Sequence, residues 1–304
     1  MKSGVCLIIL LFIFNVAGAQ LRSGDYVKIA EANYEQKKYS EALEYYNKAI
    51  ESGVNDANVF YKRGLVKFYL KKDAEAIKDY DSAISLQPKD YEFYYSKALS
   101  EFYLKEYGNA LFDFDKSIKL GNNQSNAFVH RGATFFYMGK DKECAEDQTK
   151  ALARDNKNVL AYYYRGLSKY QLMENKVVIA DMTSAIALKE SAEYYYYRAL
   201  AKYQLKDYKG GILDAGSAIQ LSPDYASAYL ERAMCFIADG NDLSAIKDFT
   251  KSLELKPELG KAYHYRGIAK KYQSDIAGAC EDLKKAKELG FPKSVEELQK
   301  IKCD

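Results

Sequence analysis

Residues 57–90 read ANVFYKRGLVKFYLKKDAEAIKDYDSAISLQPKD, and residues 91–124 read YEFYYSKALSEFYLKEYGNALFDFDKSIKLGNNQ. Set one above the other, they hold the same kinds of residue in the same places. Phe60 meets Tyr94, Arg63 meets Lys97, Gly64 meets Ala98, Ala76 meets Ala110, Asp79 meets Asp113 and Ala83 meets Ser117. Outward from this pair the first small residue recurs at Ala30, Gly132, Gly166, Ala199, Ala233 and Gly267, in steps of 34 with a single step of 33. Ala42, Cys144, Val178, Gly211, Ala245 and Ala279 continue the second series, and Ala49, Ala151, Ala185, Ala218, Ser252 and Ala286 the third. An aromatic stands four places ahead of each first small residue: Tyr26, Phe60, Tyr94, Phe128, Tyr162, Tyr195, Tyr229 and Tyr263. Several ladders with one shared step mark a chain built by repetition, in which one continuous core replaces the two domains that length alone suggests.

These residues resemble the tetratricopeptide repeat family over Ser23 to about Phe291. The resemblance implies an all-α fold, a right-handed superhelical solenoid of eight helix-turn-helix units plus a C-terminal capping helix. Its repeats span 23–56, 57–90, 91–124, 125–158, 159–191, 192–225, 226–259 and 260–292, with the cap at 293–304. The residues agree with it. Small residues on both helices let two backbones approach, and the aromatic four places ahead is expected to fill the gap beside them. Pro88, Pro223 and Pro257 fall where the second helix ends, and Pro292 one place later. Some repeats depart from the pattern. Gln148 and Met182 replace the second-helix aromatic of Tyr46, Tyr80 and Phe114, and Val178 replaces a small residue, so looser packing is expected there. Gly210-Gly211 with Ala215 predicts a soft spot in the sixth repeat, at roughly 1 kcal/mol of helix propensity per glycine.

The composition excludes several function classes. The 304 residues are 48% hydrophobic and 29% charged, with net charge +3, too near neutral for an electrostatic grip on nucleic acid or anionic lipid. The start is an address. Lys2, an apolar run from Val5 to Val16 and small Ala17-Gly18-Ala19 read as a secretory signal peptide over 1–19, the alternative being an uncleaved anchor. Cys6 is too far from the cleavage site for a lipoprotein. Export, to a periplasm or outside the cell, is the expectation. A membrane contact is expected only through an uncleaved anchor or a partner.

Seven repeats place a base at Arg63, Lys97, Arg131, Arg165, Arg198, Arg232 or Arg266, and an acid at Asp79, Asp113, Asp147, Asp181, Asp214, Asp248 or Asp282. In an antiparallel helix pair the two places are nearly level. The expected pairs are Arg63–Asp79, Arg131–Asp147, Arg165–Asp181, Arg198–Asp214, Arg232–Asp248 and Arg266–Asp282, with pairing to the next repeat's base as the alternative. The first repeat, with Ile29 and Tyr45, lacks both partners, which favours pairing within a repeat.

Little chemistry is legible. The only histidines, His130 and His264, lie four repeats apart, and the regular aspartates have bases to answer to. No enzyme, no cofactor and no metal site is expected. Cys144 and Cys235 read as small buried groups. Cys280 and Cys303 are different, because a cap with Val295, Leu298 and Ile301 on its apolar side folds back onto the helix of Cys280. In an oxidising compartment a disulfide would staple it, two free thiols being the alternative. Gly278-Ala279-Cys280-Glu281-Asp282 before a near-terminal cysteine also resembles the last repeat of secreted bacterial members of the family.

In that family the first helix of each repeat lines a concave face, with contacts from places 2, 5, 9, 12 and 13. Place 5 here holds Tyr61, Tyr95, Tyr163 and Tyr196, and place 12 holds Phe68, Phe102, Phe136, Tyr170 and Tyr203. Tyrosine offers a large, stiff contact surface with a hydroxyl, suited to peptides and to sugar rings alike. Packing between repeats is the alternative, above all at place 12. The chaperone-tail clamp of some members is discounted, since Val27 and Glu31 stand where it needs lysine and asparagine. The Asn123-Gln124-Ser125 sequon lies in a turn and reads as coincidence. The expected function is a non-enzymatic exported scaffold binding an extended peptide or partner protein, of unknown identity and oligomeric state. A module binding glycan or cell-envelope polymer through the same tyrosines is the alternative.

Overall fold

The computed structural model describes residues 21–301 and 303; the signal-peptide reading lies outside them. Every regular element among the described residues is an α-helix. Contacts group the chain into two compact bodies, one ending at Asn123 and one beginning at Gln124, so the division falls between the third and fourth repeats. The first holds α1 (Ser23–Glu35), α2 (Tyr39–Glu51), α3 (Ala57–Tyr69), α4 (Asp73–Leu86), α5 (Tyr91–Tyr103) and α6 (Tyr107–Lys119). The second holds α7 (Ser125–Tyr137), α8 (Asp141–Arg154), α9 (Val159–Gln171), α10 (Asn175–Leu188), α11 (Ala192–Gln204) and α12 (Tyr208–Leu221). It continues with α13 (Ala226–Ala238), α14 (Asp242–Leu255), α15 (Gly260–Tyr272), α16 (Ile276–Glu288) and α17 (Lys293–Ile301). Within each body a helix packs on its partner in the repeat, and the second helix packs on the first helix of the following repeat. This is the tandem hairpin packing of a tetratricopeptide solenoid.

Local chemistry sets the boundaries. Asp56, Asp90, Asn158, Asp207, Asn241 and Asp275 cap helix N-termini through side-chain oxygens that accept backbone N–H bonds. Leu86, Leu221 and Leu255 close second helices two residues before Pro88, Pro223 and Pro257. The turn inside each repeat is one left-handed residue, supplied by Lys37, Lys71, Lys105, Gly139, Met173, Lys206, Gly240 and Ser274. In the second repeat Lys71 N–H bonds Phe68 O and Lys72 N–H bonds Lys67 O, which satisfies two end carbonyls of α3.

The core differs from the expectation in one respect. The aromatic ahead of the first small residue is mostly half-buried; the fully buried rings are Tyr46, Tyr80, Phe114 and Phe249 on the second helices, with Phe93 on α5. A Cβ on Gly64 would come within 2.6 Å of the Tyr80 ring, so the small residue on one helix is the socket for the large one on the other. The leading aromatics instead lie beside the repeated arginines. The guanidinium carbons of Arg63, Arg131, Arg165, Arg198, Arg232 and Arg266 stand 5.4–5.9 Å from the ring three residues earlier.

The looser packing expected around Gln148, Met182 and Val178 does not occur, since all three are fully buried. Met182 fills the socket of Gly166, and Gln148 that of Gly132 while donating a 3.0 Å bond to the Val129 carbonyl. No break marks the sixth repeat, where α12 runs unbroken through Gly210 and Gly211. A side chain at Gly210 would displace the Asp207 cap, and one at Gly211 would meet the Cys235 sulfur at 2.7 Å. The glycines make room for a cap and a neighbour, which offsets their propensity cost.

At the C-terminus, α17 lies on α16 and brings Cys303 to Cys280, with Cα atoms 5.5 Å apart and the sulfurs in contact. The stripe that α17 buries is not quite the one expected. Leu298 and Ile301 face inward, but Val295 is 40% exposed and Ser294 is buried in its place. Ser294 Oγ lies 3.0 Å from Nδ1 of buried His264, whose ring packs on Phe291 at 4.8 Å. Burial pushes the His264 pKa down, so the imidazole is held neutral as a polar anchor for the cap.

Candidate functional site

The repeated charges are the skeleton against which any binding face is held. Each of the six Arg–Asp pairs is bidentate, Nε and Nη2 bonding the two carboxylate oxygens at 2.6–2.9 Å. The aspartates are only 2–6% exposed, so these are buried pairs. At the Arg165–Asp181 pair, burial pulls the carboxyl pKa up while the hydrogen bond to Asp181 raises that of Arg165. Both Asp181 oxygens accept N–H bonds from the guanidinium, an arrangement that favours the ionised form of both.

The free guanidinium nitrogen reaches a third helix. Arg63 bonds Asn47, Arg165 Thr149, Arg198 Thr183 and Arg266 Thr250, at 3.0–3.3 Å, each acceptor lying on the second helix of the preceding repeat. The sequence left open whether the charges act within or between repeats. The base does both, carboxylate inside and polar oxygen outside. Lys67, Lys202 and Lys270 add a second cation to their aspartates at 2.7–2.8 Å.

The third repeat reverses this pattern. Glu101 stands where those lysines do, and Lys97 replaces arginine. Lys97 Nζ lies 2.8 Å from Asp81, 3.2 Å from Asp113 and 3.9 Å from Glu101, three carboxylates on one ammonium. Burial and the neighbouring Asp113 push the Glu101 pKa up to about 8.

The nine tyrosines and phenylalanines at places 5 and 12 are all half-buried. In the first body Tyr61 packs on Phe93 at 4.9 Å and its hydroxyl lies 3.3 Å from Ser96 Oγ, while Tyr95 packs on Phe114 at 5.8 Å. Phe68 and Phe102 lie 5.7 Å from Tyr103 and Tyr107. In the second body Tyr163 meets Tyr194 at 5.3 Å, Tyr170 meets Tyr197 at 6.2 Å, Tyr196 meets Tyr225 at 5.1 Å and Tyr203 meets Tyr208 at 5.7 Å. Phe136 lies 5.9 Å from Tyr164. Burial raises the hydroxyl pKa of Tyr61, Tyr95, Tyr163, Tyr170, Tyr196 and Tyr203. One side of each ring is thus committed to a neighbour, at place 5 as well as place 12.

Other aromatics on the same helices stand further out. Tyr69 and Tyr103 in the first body are 46% and 56% exposed, and Tyr137 in the second is 51% exposed. Tyr69 stacks on Tyr39 with centroids 4.7 Å apart, and Lys71 Nζ lies 5.7 Å from the Tyr103 ring. They recur at the chain's own step, a signal the sequence carries, but only coordinates give the exposure. No cluster of three or more His, Cys, Asp or Glu side chains able to hold a metal occurs among the described residues. His130 donates from Nδ1 to the Asn126 carbonyl at 2.9 Å. Burial pushes the Cys144 and Cys235 thiols up to about 11 and about 12. No described helix is long and apolar enough to cross a membrane.

Comparison with known proteins agrees with this architecture. Tetratricopeptide repeat models match residues 26–52, 57–90 and 226–259. The chain is 41% identical over 61 residues to tetratricopeptide repeat protein 36 of Bos taurus, covering 20% of this chain and 32% of that protein. It is 37% identical over 67 residues to the SGT1 homolog of Homo sapiens, covering 22% and 18%. The chain therefore spans about a third or less of these curated relatives. Among solved structures it resembles the C-terminal part of a repeat-containing protein of Cytophaga hutchinsonii, with TM-score 0.63, 21% identity, and 78% and 99% of the two chains covered. It also resembles YrrB, described as a TPR protein with an unusual peptide-binding site, with TM-score 0.52, 20% identity, and 58% and 92% covered. At these identities the likeness shows the fold.

Proposed function

We propose that this chain is a non-enzymatic, exported scaffold that binds an extended peptide or a partner protein along the first-helix face of its repeats. The observation that carries the reading is the half-exposed aromatic that ends a first helix, Tyr69 and Tyr103 on α3 and α5 of the first body and, separately, Tyr137 on α7 of the second, each on a helix braced by a buried ion pair. Rigid aromatic surface on a fixed backbone loses little conformational entropy on binding, which is what recognition of a flexible segment requires. The peptide-binding description of YrrB is consistent with this use of the fold. Export rests on the first nineteen residues of the sequence and on the Cys280–Cys303 contact, which we read as a disulfide stapling the cap. No nucleic acid is expected as a ligand, given a net charge of +3.

Capture of partners from the native cell envelope by the tagged chain tests the reading. Tyr103→Ala with Tyr137→Ala should lower capture at an unchanged melting temperature, because these rings are less committed to packing than Tyr163 or Tyr196. Capture should survive soluble envelope sugars. Competition by those sugars would favour the glycan reading, and unchanged capture by the double variant would refute the assignment of the face.

A further inference from the structure

Glu231, at the middle of α13, is a carboxylate for which the fold provides no donor. It is 5% exposed, and its Oε1 is wholly buried without a hydrogen-bond partner. Neither oxygen forms a hydrogen bond or ion pair with any described residue. Its sequence neighbour Arg232 is committed to Asp248 at 2.6 Å. A buried carboxylate normally has a cation or several N–H donors, and one without them marks a place where something outside the chain completes the set.

The repeat register locates its surroundings. Tyr61 and Ser96, 35 residues apart on the first helices of adjacent repeats, bring hydroxyl to hydroxyl at 3.3 Å. Tyr196 and Glu231 are the same two places four repeats further along the sequence and within one body, on α11 and α13, which pack together. The charge of Glu231 acts on Tyr170 of α9 and on Tyr196 and Tyr203 of α11. Cys235 lies on its own helix, and Lys261 of α15 is the cation that acts on it, without forming an ion pair. Burial pushes the Glu231 carboxyl up to about 7. Nothing in the repeat pattern demands an acid here. The equivalent places hold Lys62, Ser96, His130, Tyr164, Tyr197 and Tyr265.

We infer that Glu231, with the rings of Tyr170, Tyr196 and Tyr203, forms a specificity subsite for a cationic side chain, so that the bound segment is an extended peptide carrying a lysine or arginine. This rests on the proposed function and narrows it. The carboxylate supplies the counter-charge and the tyrosine faces the cation–π contact that an alkylammonium or guanidinium prefers. Binding also moves a proton. At neutral pH a carboxyl titrating near 7 is partly protonated, and a cation beside it favours the carboxylate, so the proton leaves to solvent.

The test uses the full chain, immobilised at pH 7, and three libraries of nonapeptides with random flanks and lysine, Nε-acetyl-lysine or glutamate fixed at the centre. The lysine library should be retained at least about tenfold over the other two, a preference of about 1.4 kcal/mol. Glu231→Gln, which keeps the shape and removes the uncompensated charge, should erase that preference while leaving the melting temperature unchanged or raised. Calorimetry of a selected lysine peptide on the unaltered chain, in buffers of different ionisation enthalpy, should show net proton release. Equal retention of all three libraries overturns this inference and leaves the peptide reading standing. A lysine preference that survives Glu231→Gln places the cation elsewhere and also overturns it. Retention of no library overturns the peptide reading itself, and this inference with it.

Discussion

Arg165→Met tests the idea that buried charge pairs, more than apolar contacts alone, clip the helix hairpins. The substitution keeps an unbranched apolar side chain against the Tyr162 ring and removes the two bonds of 2.9 and 2.6 Å to Asp181. Asp181 is 2% exposed, and Lys169, the other base whose charge acts on it, is engaged with Glu174 at 2.8 Å. A carboxylate is left buried without a partner, a situation that costs about 3–5 kcal/mol. For a body of this size, at about 2–4 °C per kcal/mol, the melting temperature should fall by roughly 6–20 °C. The variant carries its own pH signature. An unpaired buried carboxyl titrates higher in the folded than in the unfolded chain, so its penalty is full at high pH and shrinks as pH falls through the folded-state value. Arg165→Met with Asp181→Leu should recover most of the loss, because removing both charges leaves no orphan. Thermal and urea unfolding of the three variants at several pH values is the assay. A loss below about 1 kcal/mol for Arg165→Met, independent of pH, would refute the reasoning and return the pairs to the class of surface bridges.

Other outcomes follow from the same packing. Gly211→Ala, a change that helix propensity alone favours by about 1 kcal/mol, should instead destabilise by roughly 1–3 kcal/mol in urea unfolding, since the new Cβ meets the Cys235 sulfur at 2.7 Å. Glu101→Lys restores the pattern of Lys67 on Asp79 and should raise the melting temperature. The gain should be small near pH 4.5 and grow towards pH 9, because the Glu101 pKa rises from 4.5 to about 8 on folding and its penalty appears across that window. Lys71→Gly should be neutral to stabilising by up to about 1 kcal/mol, as a left-handed φ of 61° suits glycine better than lysine. Reduction of the proposed Cys280–Cys303 disulfide should speed hydrogen exchange of 293–301 before that of α13 or α14, with about 3 kcal/mol lost from the cap for a loop of 23 residues.

The repeats and the partners of the charge pairs are legible in the sequence because they depend on spacing, and spacing survives without coordinates. One misreading arose where two places of a repeat compete for one space. Both the leading aromatic and the second-helix aromatic are periodic, and periodicity alone does not tell that Tyr80 takes the socket of Gly64 while Phe60 lies beside Arg63. Gln148 looked like a defect until its amide was seen to bond a backbone carbonyl, a contact between residues 19 apart that no local pattern encodes. Glu231 is not legible in the sequence for a related reason. An acid on a helix is ordinary in a sequence, and what sets this one apart is the absence of a donor around it.

The central claim is that partners lie along the first helices. A photo-crosslinking residue placed at Tyr103 or Tyr137, and in parallel at the exposed second-helix positions Lys78 and Lys247, compares the two faces directly in the native cell. The account predicts protein adducts from Tyr103 and Tyr137, and few from Lys78 or Lys247. Adducts from the second-helix positions alone, or equally from both faces, would contradict it.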